Sequence, residues 1–230
     1  MEEIQPKKTL VEQVYDILLD AICSGELPPG ARLNQDEIAA RLNVSRQPVN
    51  SAISILKANG FARDTGRRGA VVSQIDMDQF HSIYEFRQVV EPFAAKLAAK
   101  RIGDAAAPEA RAILRDGRTA IKNKDIKALI DADLRFHQMI YRWSGNHVIE
   151  ASMRANWPHM LRSMAEVLRD PAAARQSWND HAKITEALLK GQSRQAASAM
   201  SAHIGLAFEK TKTVLAQPRQ TGKTKVKANT

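Results

Sequence analysis

The stretch Leu33 to Gly69, LNQDEIAARLNVSRQPVNSAISILKANGFARDTGRRG, constrains the fold more than any other part of the chain. Asn34 followed three residues later by Glu37 is a reciprocal capping pattern that starts a helix, and Ile38, Ala39 and Leu42 give that helix one apolar face. It must end near Asn43. Ser45 is a capping residue for a second helix. Pro48 falls in the first turn, where a missing N–H costs little, and Val49, Ala52, Ile53 and Leu56 recur at helical spacing as far as Gly60. Two short helices joined by about three residues make a helix-turn-helix. Phe61 to Arg63 and Ala70 to Val72 then read as two short strands around a hairpin at Asp64 to Gly69.

In a helix-turn-helix the N-terminal end of the second helix meets base edges in the major groove, and here that end carries Arg46, Gln47 and Asn50, with Ser45 placed for a phosphate. Arg67, Arg68 and Gly69 at the hairpin tip make a basic wing suited to phosphate or minor-groove contact. Solvated lysines and arginines on an ordinary helical domain are the plainer reading, and charge distribution weighs against it. Residues 1–40 hold three Lys/Arg against eight Asp/Glu, whereas residues 41–69 hold six Lys/Arg against Asp64 alone. The positive charge collects where phosphate would lie. Double-stranded DNA is therefore the expected partner.

The 230 residues suffice for two domains, each with its own core. The net charge of +9 is a weaker argument for DNA than its local clustering, because residues 1–75 sum to zero and the final fourteen residues alone carry +4. There is no run of eighteen apolar residues, and the opening MEEIQPKK has no signal-peptide core, so the cytoplasm is the expected compartment and no membrane partner is expected. Cys23 is the single cysteine, which excludes an internal disulfide or a zinc finger and leaves the thiol as a small core hydrophobe.

Upstream, Thr9 and Glu12 form a capping box for a first helix with Leu10, Val14, Ile17, Leu18, Ala21 and Ile22 on its apolar side, ended by SGELPPG. Residues 1–74 thus make a winged helix-turn-helix domain. The run AICSGELPPGARLNQDEIAARLNVSRQPVNSAISILKANGF resembles the N-terminal domain of the GntR family of bacterial transcriptional regulators, with its G-x-L-x-P-G turn and V-S-R-x-P-V helix start. Arg46 matches the family's base-reading arginine. Family members usually carry Arg where this chain has Asn50 and Glu where it has Ser51. Asn favours adenine where Arg favours guanine, which shifts the base preference expected opposite position 50.

From residue 75 the pattern changes to six long amphipathic helices, at about 76–101, 105–123, 125–143, 146–169, 171–190 and 193–216. The expected architecture is mainly α: the winged domain, an all-α antiparallel bundle over 75–216, and a disordered basic tail over 217–230. Within the bundle, polar residues interrupt apolar stripes. Asp133 and His137 share a stripe with Ile126, Ile130 and Ile140; His181 lies with Trp178 and Leu188; His203 lies with Ala196, Met200 and Ala207. Buried imidazoles and carboxylates are costly unless paired, so four from three helices point to one shared site. On pattern alone, satisfied core histidines weigh equally with a divalent transition-metal site made of one aspartate and three histidines.

The bundle resembles the FCD ligand-binding domain of the FadR branch of that family, and its metal motif appears here as D-L-R-F-H at 133–137, D-H at 180–181 and A-H at 202–203. The resemblance implies that Asp133, His137, His181 and His203 hold a divalent metal, zinc first and nickel second. Six helices fit the shorter, VanR-like variant. His81, His147 and His159 match no ligand position. Arg87 interrupts the stripe of Phe80, Ile83, Val90, Ala94 and Leu97 and matches the family's arginine in R-x-x-x-E. It can hold an effector carboxylate, pair with Glu91 within the helix, or do both. The expectation is a homodimeric transcriptional regulator, a repressor, whose affinity for operator DNA answers to a small organic acid bound at the metal, and which is not an enzyme. The alternatives are a metal-dependent hydrolase using the same aspartate and histidines, and a regulator whose effector is the metal itself.

Overall fold

A computed structural model describes residues 8–66 and 69–216. In chain order these form α1 (Leu10–Ser24), α2 (Gln35–Leu42), α3 (Arg46–Ala58), β1 (Ala62–Asp64), β2 (Ala70–Val72), α4 (Met77–Arg101), a short 3-10 turn (Asp104–Ala106), α5 (Ala107–Asn123), α6 (Ile126–Ser144), α7 (His147–Leu168), α8 (Pro171–Leu189) and α9 (Ser193–Ala216). The expected wing residues Arg67 and Arg68 and the expected tail at 217–230 lie outside the described residues. Among the described residues no helix is long and apolar enough to cross a membrane.

Local chemistry sets the helix starts. Thr9 and Glu12 form the capping box of α1: the Thr9 hydroxyl accepts from the Glu12 N–H at 3.2 Å, and the Glu12 carboxylate accepts from the Thr9 N–H at 2.7 Å. Asp76, Asp125, Asn146 and Asp170 cap α4, α6, α7 and α8 without the reciprocal bond, each side chain accepting one or two backbone N–H groups of the first turn. The start of α2 differs from the reciprocal pattern expected. Asn34 accepts from the Asp36 N–H, and its amide donates to the Glu37 carboxylate, side chain to side chain. Ser45 occupies the cap position of α3 without a side-chain capping bond.

Val14, Leu18 and Ile22 of α1, Val49, Ile53 and Leu56 of α3, Phe61 and Val72 form one buried cluster. Leu10 and Ile17, expected on the apolar side of α1, are about half exposed, because the buried stripe is the narrower line Val14, Leu18 and Ile22. Asn43 turns the chain between α2 and α3 in a left-handed conformation. The wing pairs Ala62 with Val72 and Asp64 with Ala70, antiparallel. Its inner strand is paired on the other side as well: Arg32 bridges Val71, and the Leu33 N–H donates to the Ala70 carbonyl. Sequence pattern alone gives residues 30–33 only as a connection.

A second cluster fills the bundle, with Tyr84, Phe136, Met139, Ile140, Met153, Ile184 and Met200 at its centre. α4 packs chiefly against α9 and α6, α5 lies on α6, and α8 lies on α9. The two clusters are joined mainly by α7 against α1. Phe61 stacks on His159 at 4.3 Å, Arg162 donates to the Ser73 carbonyl, Arg169 donates to the Ser24 carbonyl, and the Cys23 thiol reaches the Pro158 carbonyl at 3.3 Å. Burial pushes that thiol up to about 12, so Cys23 behaves as an inert core group.

Where α5 crosses α8, Gly117 leaves room for Trp178, whose indole N–H donates to the Leu114 carbonyl. A Cβ at Gly117 would lie 1.6 Å from the indole ring. On an open helix Gly→Ala stabilises by up to about 1 kcal/mol. Here Gly117→Ala is expected to destabilise by about 1–3 kcal/mol, read as a lower urea midpoint, because a buried ring must move.

Candidate metal centre and nucleic-acid interface

Asp133 and His137 emerge one turn apart from α6, His181 from α8 and His203 from α9, and all four are buried. The three imidazoles converge so that one ring nitrogen from each lies within 4.8 Å of the others. His181 Nε2 stands 3.3 Å from His203 Nε2 and 3.5 Å from Asp133 Oδ1, and His137 Nε2 is 3.8 Å from Asp133 Oδ2. In a tetrahedral site with bonds of about 2.1 Å, neighbouring donor atoms stand about 3.4 Å apart, which these spacings approach.

Two of the donor atoms, His137 Nε2 and Asp133 Oδ2, are buried without a hydrogen-bond partner. Such an orphan costs about 1–3 kcal/mol, and a cation between them would satisfy both. The protonation states fit the same use. Burial holds His181 well below the ordinary histidine value, and burial followed by the charges of His137 and Arg87 lowers His203 to about 3. Both therefore present lone pairs at neutral pH. Burial raises Asp133 to about 6, a shift that a bound cation would reverse.

Behind this set lies Glu91 of α4, fully buried. Helical spacing identifies it only as the partner of Arg87. The structure gives it two roles: Oε1 accepts from Arg87 Nε at 2.5 Å, and Oε2 lies 2.7 Å from His137 Nδ1. Burial alone would raise Glu91, but Arg87 and His137 outweigh it and hold the carboxyl well below its usual range. With the charged carboxylate accepting a hydrogen bond from Nδ1–H, Nε2 of His137 is left to face the other donors. The expected pairing of Arg87 with Glu91 is made, and it leaves Arg87 Nη1 buried without a hydrogen-bond partner.

A narrow cavity of about 40 Å³ adjoins Asp133 and His203 and opens between α7, α8 and α9. Tyr84, Arg87, Asp133 and His203 line its inner end, Leu168 its wall, and Lys210 its rim. Trp178 and Trp157, 4.8 Å and 5.9 Å from His181 and His137 between ring centroids, enclose the imidazoles from the other sides.

In the winged region Ser45, Arg46, Gln47 and Asn50 lie on the N-terminal half of α3 outside its buried stripe, and the Ser45 hydroxyl has no capping role to fulfil. An open groove between α3 and the wing is bordered by Arg32, Arg46, Thr65 and Gly69. Arg32 enters this group only through its bridge to the wing. Arg46 pairs with Asp36 at 2.9 Å while both are about two-thirds exposed, a contact worth about 0–1 kcal/mol that an incoming polyanion can replace.

Residues 10–72 match the gntR family of bacterial regulatory proteins, and residues 82–206, more than half of the chain, match the FCD domain. The chain belongs to the GntR family. Among relatives of this GntR-family chain, the HTH-type transcriptional repressor RspR of Escherichia coli is 32% identical over 138 residues, a region that spans 60% of this chain and 60% of the repressor. A transcriptional regulator GntR from Rhodococcus sp. RHA1 superposes with a TM-score of 0.74 at 26% identity, covering 91% of this chain and 99% of that one. E. coli McbR/YncC shares the fold, with a TM-score of 0.77 at 20% identity over 90% and 99% of the two chains.

The buried histidines have a consequence for acid stability. An unfolded histidine takes its proton near 6.5, whereas folded His203 refuses one until about 3, so the unfolded state binds more protons in that window and stability falls with pH. Asp133, raised from 3.8 to about 6, offsets one of the two histidines over its own narrower range. Chelator-treated protein is expected to lose urea stability between pH 7 and pH 5, and His203→Gln to flatten that slope. Equal slopes in the two proteins would contradict the neutral, buried state of His203.

Proposed function

We propose that the chain is a ligand-responsive transcriptional regulator, a repressor acting as a homodimer on operator DNA, whose affinity is set by a small carboxylic acid bound beside a divalent metal in the bundle. The observation that carries this reading is the convergence of Asp133, His137, His181 and His203 beside a cavity that Asp133, His203 and Arg87 line. The four side chains would hold the metal, zinc by donor type, with nickel as the alternative. When bound, it supplies a Lewis-acidic position for an anionic ligand.

Charge balance identifies the ligand class. Arg87 and Glu91 cancel, Asp133 is one negative charge, and a divalent cation leaves one positive charge in excess, in a site nearly closed to water. One carboxylate neutralises it. Arg87 Nη1 and the Tyr84 hydroxyl, both buried and unpartnered, are the donors this chain offers to that carboxylate, while Leu168 and neighbouring apolar groups suit a short hydrocarbon body.

The winged domain supplies the DNA-facing residues Ser45, Arg46, Gln47, Asn50 and Gly69, with Arg67 and Arg68 as further candidates. α7 supplies the connection. Trp157 packs beside His137, and the next two residues, Pro158 and His159, touch Cys23 and Phe61 of the winged cluster. Pro158 has no N–H, so the helix lacks one ladder bond where it joins the two clusters. A ligand that favours one placement of Trp157 thereby favours one placement of the winged domain.

The test is elemental analysis of protein purified without added chelator. Wild type is expected to carry about one equivalent of transition metal per chain, and the His181→Ala/His203→Ala variant almost none while keeping its helical content. Equal metal in both proteins would remove the site.

A further inference from the structure

Three large apolar side chains stand exposed on the middle of α4: Phe86 at 39%, Val89 at 73% and Phe93 at 49%. The opposite face of the same helix is buried against α9 and α6, so these residues belong to the one side of α4 that no other described element covers. At 3.6 residues per turn, Asp78, Glu85, Val89, Phe93, Lys96 and Lys100 lie within about 40° of one line along that side, with Phe86 at its edge. The line is acidic at its N-terminal end, apolar in the middle and basic at its C-terminal end. None of its four charges pairs with another side chain among the described residues.

This pattern is complementary to itself in one orientation only. Two such helices crossing antiparallel about Val89 set Asp78 opposite the second copy's Lys100, bring Glu85 within one turn of the second copy's Lys96, set Val89 against its equivalent, and bring Phe86 of each copy beside Phe93 of the other. Parallel packing would set like charges together. A face that matches itself under a two-fold rotation is what an isologous dimer requires.

We propose that this face of α4 is the surface through which two copies of the chain pair, antiparallel, about a two-fold axis near Val89. The proposal rests on the homodimer of the functional reading and assigns its interface. It places the dimer contact on the helix that carries Arg87 and Glu91 on its buried side, so the effector site and the dimer contact share one rigid element.

Charge reversal tests it by sedimentation equilibrium. Lys96→Glu/Lys100→Glu makes the whole line acidic, and Asp78→Lys/Glu85→Lys makes it basic. Each variant alone is expected to self-associate at least tenfold more weakly than wild type, and an equimolar mixture to recover a dimer containing one of each. Variants that remain dimeric alone, as they would if residues 217–230 or another protein covered this face, overturn the proposal, as do folded variants that fail to pair on mixing. Val89→Glu is a second test without reversed charge near a helix end: it is expected to be monomeric with unchanged circular dichroism, and a dimer would overturn the assignment. A monomeric wild type would instead remove the homodimer reading itself.

Discussion

Burying Asp133, His137, His181 and His203 among packed helices costs free energy that only mutual pairing or a bound cation can offset, and the bundle is arranged around that cost. Glu91 is the point where the arrangement closes. It neutralises Arg87, which would otherwise be an isolated buried cation, and the same carboxylate orients the ring of His137. Removing it would leave two groups unsatisfied at once. Among the described residues, seven buried side-chain atoms lack a hydrogen-bond partner; those of His137, Asp133, His181, Arg87 and Tyr84 belong to this cluster or its cavity, and the hydroxyls of Tyr141 and Thr185 are the other two. Such concentration of unsatisfied groups is what a ligand site requires and what a purely structural core avoids.

α7 links the surroundings of this cluster to the winged region. One helix carries Trp157 beside the imidazoles and, within two residues, the contacts to Cys23 and Phe61. Arg162 and Arg169 extend this junction toward the C-terminal end of the same helix by donating to the Ser73 and Ser24 carbonyls.

Much of this was legible in the sequence because its causes are local. The Thr9 and Glu12 capping box and the later Asp or Asn caps operate over three residues, so the starts of α1, α4, α6, α7 and α8 could be read directly. The polar interruptions at 133, 137, 181 and 203 were visible as breaks in helical periodicity, and the helices bring them together. Periodicity resolves faces on one helix but not which helix lies opposite. For that reason Glu91 was legible as the partner of Arg87, four residues away, and not as the partner of His137 on α6. Arg32 was missed for the same reason, since its place beside the wing depends on pairing with Val71. Asn34 and Ser45 show the complementary limit: residue type marks a cap position without determining which donor is bonded.

Metal-centred control is tested most directly by the affinity of the dimer for a DNA site selected from a randomised duplex pool. Fluorescence anisotropy would compare metal-loaded with metal-stripped protein across a panel of small carboxylic acids. Coupling between two ligands is reciprocal, so an acid that raises the melting point of the metal-loaded protein must change its DNA affinity if it binds the two conformations unequally. A change of about 5–150-fold is expected in metal-loaded protein and none after stripping. An acid that shifts DNA affinity equally in both forms would contradict a metal-centred effector site.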